Sequence, residues 1–136
     1  MNAIPPDKLA AITIWQEARG ESFEGKLAVA QVIRNRMKRQ YNSDGTVAGT
    51  VLRPHQFSGW NTNSVIRAES MLQNEENKTY ISCQSAWAHS KDVYSTFFPA
   101  VLYHSKNMAK YPDWAYADNV KMIAVIGNHI FYDEVR

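Results

Sequence analysis

The hydrophobic pattern of this chain changes period at Pro99. Before it, apolar residues recur three and four positions apart, as in Leu9-Ala10-Ala11-Ile12-Thr13-Ile14 and in Val29, Val32, Ile33 and Met37. After it, short runs rich in Val, Ile and Tyr stand between turn residues. Helical spacing followed by strand-like runs predicts an α+β fold, mainly helical, with a small antiparallel sheet near the C-terminus. At 136 residues and 45% hydrophobic content the chain can bury one core, which predicts a single domain over residues 1–136.

Local signals set the boundaries. Pro5-Pro6-Asp7 opens a first helix over residues 7–18, which Gly20 is expected to end in a left-handed conformation. Ser22 is a good N-cap for a second helix over residues 24–40, expected to be the central buried one, with Arg34, Lys38 and Arg39 facing solvent. Tyr41 to Val51 reads as a polar surface loop, with a short turn or strand at Thr50-Val51-Leu52. Residues 65–73 and 78–91 read as helices, the latter turning Tyr80, Cys83, Trp87 and Ala88 inward. Beyond Pro99, Ala100 to His104 reads as a strand, and Val120 to Ile126 with His129 to Tyr132 as a hairpin around Gly127-Asn128. Lys106 to Asp118, with Tyr111, Trp114 and Tyr116, carries too many rings for a plain linker.

The residue with the most chemistry is Glu17. Ala10, Thr13, Ile14 and Glu17 share one side of the first helix, so the carboxyl projects from a mostly apolar surface. Such a group loses hydration of its charged form, stays protonated more readily and can act as a general acid. The competing reading is a solvated last-turn glutamate paired with Arg19 or Lys26. The Gly20 to Ser22 break favours the acid, because it puts Glu17 at a corner between two helices, where a cleft can open.

Composition weighs against several classes. A formal net charge of +2 lacks the dense positive field of a nucleic-acid binder. The lone Cys83 forbids an internal disulfide and reads as a core residue. No basic leader and no apolar run of membrane-spanning length occurs, so the expectation is a monomer without stable membrane association, made in the bacterial cytoplasm. His55, His89, His104 and His129 lie in four separate segments without a His-Glu-x-x-His pair, so neither metal nor any other cofactor is expected.

Four separated motifs, spread from about residue 9 to 132, together resemble the SleB-like family of cell wall hydrolases, the spore cortex-lytic type whose catalytic domain also occurs as a stand-alone phage endolysin. They are Glu17-Ala18-Arg19-Gly20-Glu21 with Glu24-Gly25; Ala28-Val29-Ala30-Gln31-Val32-Ile33-Arg34-Asn35-Arg36; Gln56-Phe57-Ser58; and Tyr103-His104 with Trp114 and Ile126-Gly127-Asn128-His129-Ile130-Phe131-Tyr132. Where the family often has Gly-Ala-Thr before its strand tyrosine, this chain has Pro99-Ala100-Val101-Leu102, which leaves that strand's register open.

The resemblance implies a lysozyme-like fold acting on the glycan strands of peptidoglycan, with Glu17 as the catalytic acid. Glu21 and Arg36 are expected to support it, Arg36 through a charge-assisted pair with Glu17 or Glu21. Gln56, Ser58, Tyr103, His104 and His129 are candidates to hydrogen-bond the sugars, and Phe57, Trp60 and Trp114 to stack on them. Asp44, Asp113 and Asp118 lie in polar segments, so no second carboxylate has a setting like that of Glu17. The expected reaction is therefore a one-acid lytic transglycosylase cleavage of the bond from N-acetylmuramic acid to N-acetylglucosamine, with a hydrolytic muramidase as the alternative. A zinc amidase and a non-catalytic wall-binding protein are the rivals from other classes. As an endolysin the chain is expected to reach the wall only after membrane permeabilisation.

Overall fold

The computed structural model describes residues 4–53, 57, 78–92 and 97–135. Helix α1 spans Pro6–Ala18, α2 Phe23–Arg39, α3 Val47–Val51 and α4 Lys78–His89, the last running into a 3-10 turn at Ser90–Asp92. Strands β1 (Leu102–Ser105), β2 (Val120–Ile126) and β3 (His129–Glu134) follow, with a second 3-10 turn at Asp113–Tyr116 between β1 and β2. Among the described residues no helix is long and apolar enough to cross a membrane. The helix expected over residues 65–73 lies outside the described residues.

Both long helices begin where their local chemistry dictates. Pro6 fills the first turn of α1, where its missing N–H is no loss, and the Ser22 hydroxyl accepts the Gly25 N–H at the start of α2. The corner between them differs from expectation. Arg19 keeps right-handed geometry, Gly20 has no positive φ, and the turn is closed instead by the Glu21 N–H donating to the Ala18 carbonyl at 2.9 Å. The left-handed cap appears at the other end of α2, at Gln40, with φ 51°.

Residues Leu9 to Ile14 are all buried, so α1 is sheltered on every side and shares the central position with α2. Arg34 is not on the solvent side. Its guanidinium stacks 3.6 Å from the Trp87 ring centroid and donates to the Trp87 carbonyl and the Ser90 hydroxyl, fastening α2 to α4. On α4, Tyr80, Cys83, Ala86 and Trp87 turn inward while Ala88 is exposed. Burial pushes the Cys83 thiol up to about 12, so it behaves as an inert core group. The Trp87 indole N–H donates to Asp7 at 2.8 Å and ties α4 to the start of α1.

The segment after Tyr41 is more ordered than its composition suggests. Thr46 caps α3 through the Gly49 N–H, and Asp44 accepts from both the backbone and the hydroxyl of Thr46. Those bonds hold the Asp44 carboxyl below its ordinary range.

The sheet is antiparallel with order β1-β3-β2. Tyr103 pairs with Phe131 and Leu102 with Tyr132, so alternate residues face opposite layers. Phe131, with Tyr103 and Ile126 packed beside it, joins the helical core. Leu102, Ile130 and Tyr132 build a second core under the irregular segment that holds Tyr111 and Trp114. The buried Asn35 amide of α2 donates to the Phe98 and Ala100 carbonyls at 2.7 and 2.8 Å, locking the helical layer to the chain entering β1.

Candidate active site

Glu17 is half-buried in the last turn of α1. The hydroxyl of Tyr103, carried by β1, donates to Glu17 Oε1. Burial, reinforced by the charge of Glu17 and by this bond, holds the Tyr103 phenol well above its ordinary value, so it keeps its proton and remains a donor. Tyr103 is itself wedged between His129, 5.0 Å away between ring centroids, and Phe131, at 5.5 Å. Two packed rings therefore fix the direction in which the phenol meets the carboxyl.

Arg36 is buried close by, its Nε donating to the Val101 carbonyl at 2.6 Å and its guanidinium lying 5.1 Å from the Phe57 ring centroid. Burial lowers its pKa; Tyr103, Tyr41 and Glu17 act electrostatically in the opposite direction. Arg36 and Tyr103 border a cavity of about 480 Å³ whose wall also includes Tyr41, His104, Trp114 and Glu134. Aromatic faces mixed with a few directed polar groups are the usual lining for a sugar.

Glu21 is held for another purpose. Its side chain is 8% exposed, and its two oxygens accept from the backbone N–H of Asn128 at 2.7 Å and from the Asn128 amide at 3.2 Å. Two glycines give it room. A Cβ on Gly127, whose φ is +58°, would stand 2.3 Å from Glu21 Oε1, and one on Gly25 would stand 2.8 Å from the Glu21 Cβ. The carboxylate thereby fastens the tip of the β2–β3 hairpin to the corner that carries Glu17.

His129 is partly buried on the same sheet face as Tyr103, with Nδ1 3.9 Å from Glu21 Oε1 and without a hydrogen-bond partner. Burial pulls its pKa down, and this outweighs the attraction of Glu21, so the ring is neutral near pH 7. The contact is then a neutral ring beside a carboxylate, not an ion pair.

The remaining expected residues divide. Phe57 is 2% exposed in the helical core, so its ring packs against protein and has no open face for a sugar. His104 points to the opposite side of the sheet from Tyr103. Its Nδ1 donates to the Ser105 carbonyl and its Nε2 meets the Tyr132 hydroxyl, both at 2.8 Å, so both ring nitrogens are engaged. Trp114 lies on that side too, edge-on to Tyr132 at 5.3 Å. Gln56, Ser58, Trp60 and His55 lie outside the described residues. Among the described residues no three metal-binding side chains converge.

Tyr41 and Glu134 in the cavity wall were not legible as site residues. Tyr41 sits in a polar stretch, and only the left-handed Gln40 before it turns its ring under the sheet.

The model of the Cell Wall Hydrolase family matches residues 20–132. The spore cortex-lytic enzyme of Bacillus subtilis is 29% identical over 126 residues, covering 91% of this chain and 36% of that protein. The spore cortex-lytic enzyme of Oceanobacillus iheyensis is 43% identical over 51 residues, 38% of this chain and 18% of its own length. The chain thus spans about a third or less of these curated relatives. Among solved structures, the catalytic domain of the Bacillus cereus SleB protein superposes with a TM-score of 0.68 at 25% identity, over 96% of this chain and 93% of that one. The catalytic domain of the germination-specific lytic transglycosylase SleB from Bacillus anthracis gives 0.67 at 24% identity, over 96% and 98%, and shares the fold.

Proposed function

The chain belongs to the cell wall hydrolase family, and on that footing we propose that it cuts the glycan strands of peptidoglycan between N-acetylmuramic acid and N-acetylglucosamine, as a lytic transglycosylase with Glu17 as its acid. The observation that carries this reading is the setting of Glu17: half-buried, and bonded by a phenol that keeps its proton and itself borders an aromatic-lined cavity. In the first step Glu17 gives its proton to the bridging oxygen, and the sugar–oxygen bond breaks with oxocarbenium character at the muramic anomeric carbon. In the second, ionised Glu17 takes the proton of the muramic C6 hydroxyl, whose oxygen attacks that carbon and closes a 1,6-anhydro ring. No water is consumed and the acid is regenerated.

The disposition of Glu21, Asp44 and Asp113 supports a one-acid scheme, whereas Glu134 borders the cavity. Glu21 is turned onto the hairpin, Asp44 onto Thr46, and Asp113 is exposed beside Lys110 at 3.7 Å. Transglycosylation is also the chemistry named for the Bacillus anthracis catalytic domain whose fold this chain shares. We propose as well that it acts as a phage endolysin, reaching the wall from the host cytoplasm once the membrane has been permeabilised.

Digestion of purified peptidoglycan followed by mass spectrometry tests the reading. Fragments lighter by one water and resistant to borohydride are expected; reducible muramic ends would instead identify a muramidase, and freed stem peptides an amidase. Glu17→Gln should reduce turnover by roughly 10²- to 10⁴-fold while glycan binding and folding persist.

A further inference from the structure

Two pairs of an acid and a ring stand side by side in this molecule. Glu17 meets the Tyr103 phenol, and Glu21, at the corner that follows α1, faces the His129 imidazole with its Oε1 3.9 Å from Nδ1. Tyr103 is paired with Phe131 across the sheet and Ser105 with His129, so these four side chains leave the sheet on one face. The rings of Tyr103 and His129 are in contact, their centroids 5.0 Å apart. A sugar whose bridging oxygen meets Glu17 therefore has the His129 ring close beside it.

The tautomer of His129 follows from its surroundings. Burial keeps the ring neutral near pH 7, so one of its two nitrogens carries hydrogen and the other a lone pair. Nδ1 is buried, has no hydrogen-bond partner and looks onto the Glu21 carboxylate, which Asn128 anchors in place. A lone pair turned toward that carboxylate is repelled and an N–H is attracted, so the hydrogen sits on Nδ1. Nε2 is then an acceptor. Among the described residues none bonds it, and with Nδ1 buried the 12% exposure of the side chain belongs to the edge of the ring that carries Nε2.

We propose that His129 is a substrate-binding residue whose Nε2 accepts a hydrogen bond from the sugar next to the scissile bond, and that Glu21 is the positioning residue that keeps it in the accepting tautomer. The other groups named around the acid cannot do this. Tyr103 gives its proton to Glu17, and a guanidinium such as that of Arg36 only donates. Sugar hydroxyls and the acetamido N–H share the donor chemistry that Nε2 requires. An acceptor fixed on a packed ring selects the face of the sugar that approaches, and with it the register at which the bridging oxygen meets Glu17. This assignment rests on the peptidoglycan reading above and adds a specificity contact to it.

Nitrogen-15 NMR of the imidazole reads the tautomer without substrate. At about pH 7.5, above the ordinary histidine range, His129 should carry its hydrogen on Nδ1, and Glu21→Gln should weaken that bias. Hydrogen on Nε2 in the parent would overturn the proposal. In turnover, His129→Phe keeps the ring contacts and should raise KM on purified glycan strands roughly five- to tenfold, the worth of one hydrogen bond, with kcat little changed. His129→Gln offers an amide oxygen instead and should recover part of the loss. An unchanged KM in His129→Phe, or a loss confined to kcat, would count against the contact. In Glu17→Gln, which is expected to bind without cutting, N-acetylglucosamine tetramer should shift the Nε2 signal. A like shift from cellotetraose assigns the donor as a hydroxyl, its absence assigns the acetamido N–H, and no shift from either sugar rejects the contact. Tautomer and binding are read without turnover, so failure of the Glu17 assignment appears separately, as full activity in Glu17→Gln.

Discussion

The carboxylate of Glu21 accepts the backbone N–H of Asn128 at 2.7 Å, joining positions 107 residues apart. The hairpin tip and the interhelical corner are thereby one rigid unit. Glu21→Ala leaves that N–H without its acceptor and should destabilise the fold by about 1–3 kcal/mol. Glu21→Gln keeps an acceptor oxygen in place and should recover most of the loss, read as urea midpoints at constant m-value.

Gly127→Ala should be at least as damaging. It asks an alanine to hold a φ of +58° and sets a methyl against Glu21. The left-handed backbone alone costs about 1–2 kcal/mol, and displacement of the carboxylate adds to it. Thermal unfolding and a fall in activity measured in parallel check this, since the same contact braces the corner that carries Glu17.

Tyr103→Phe removes the phenol donor to Glu17 while keeping the ring between His129 and Phe131. Stability should change little, whereas kcat should fall roughly tenfold, well short of the ~10²- to 10⁴-fold assigned to the acid itself. Turnover of purified peptidoglycan measures the difference.

His129 binds its proton less readily in the folded chain than in the unfolded one. Below its ordinary value near 6.5, unfolding therefore takes up a proton and acid favours the unfolded chain; above that value the contribution to stability is intact. Urea midpoints at about pH 7.5 and about pH 5 should diverge in the parent and diverge less in His129→Phe, which preserves the ring contacts.

Asn35→Leu should cost about 2–4 kcal/mol by chemical denaturation, because the Phe98 and Ala100 carbonyls both lose their buried donor. Asn35→Asp should be no better, since it turns acceptor oxygens towards acceptors.

What could be read from the sequence is what short-range chemistry decides. Pro6 and Ser22 mark the helix starts, and Gly127-Asn128 marks the hairpin to the residue. Glu17 stood out for the same reason, because its apolar neighbours are one and two turns away. What escaped depends on distant partners. Arg34 looked solvent-facing because Trp87 and Ser90 lie more than fifty positions on. The side to which His104 turns follows from pairing parity with β3, and flanking residues buried on both faces do not reveal it. Gly20 suggests a left-handed turn by residue type alone, whereas the Glu21 N–H closes the corner without one.

Glu17 and Tyr103 stand 86 residues apart in the chain and meet only when β1 docks beside α1. A nascent polypeptide exposes the glutamate long before its phenolic companion has left the ribosome. Synthesis and full chemical competence are therefore separated in time, and a fragment ending before residue 103 would carry the acid without the side chain that aims it.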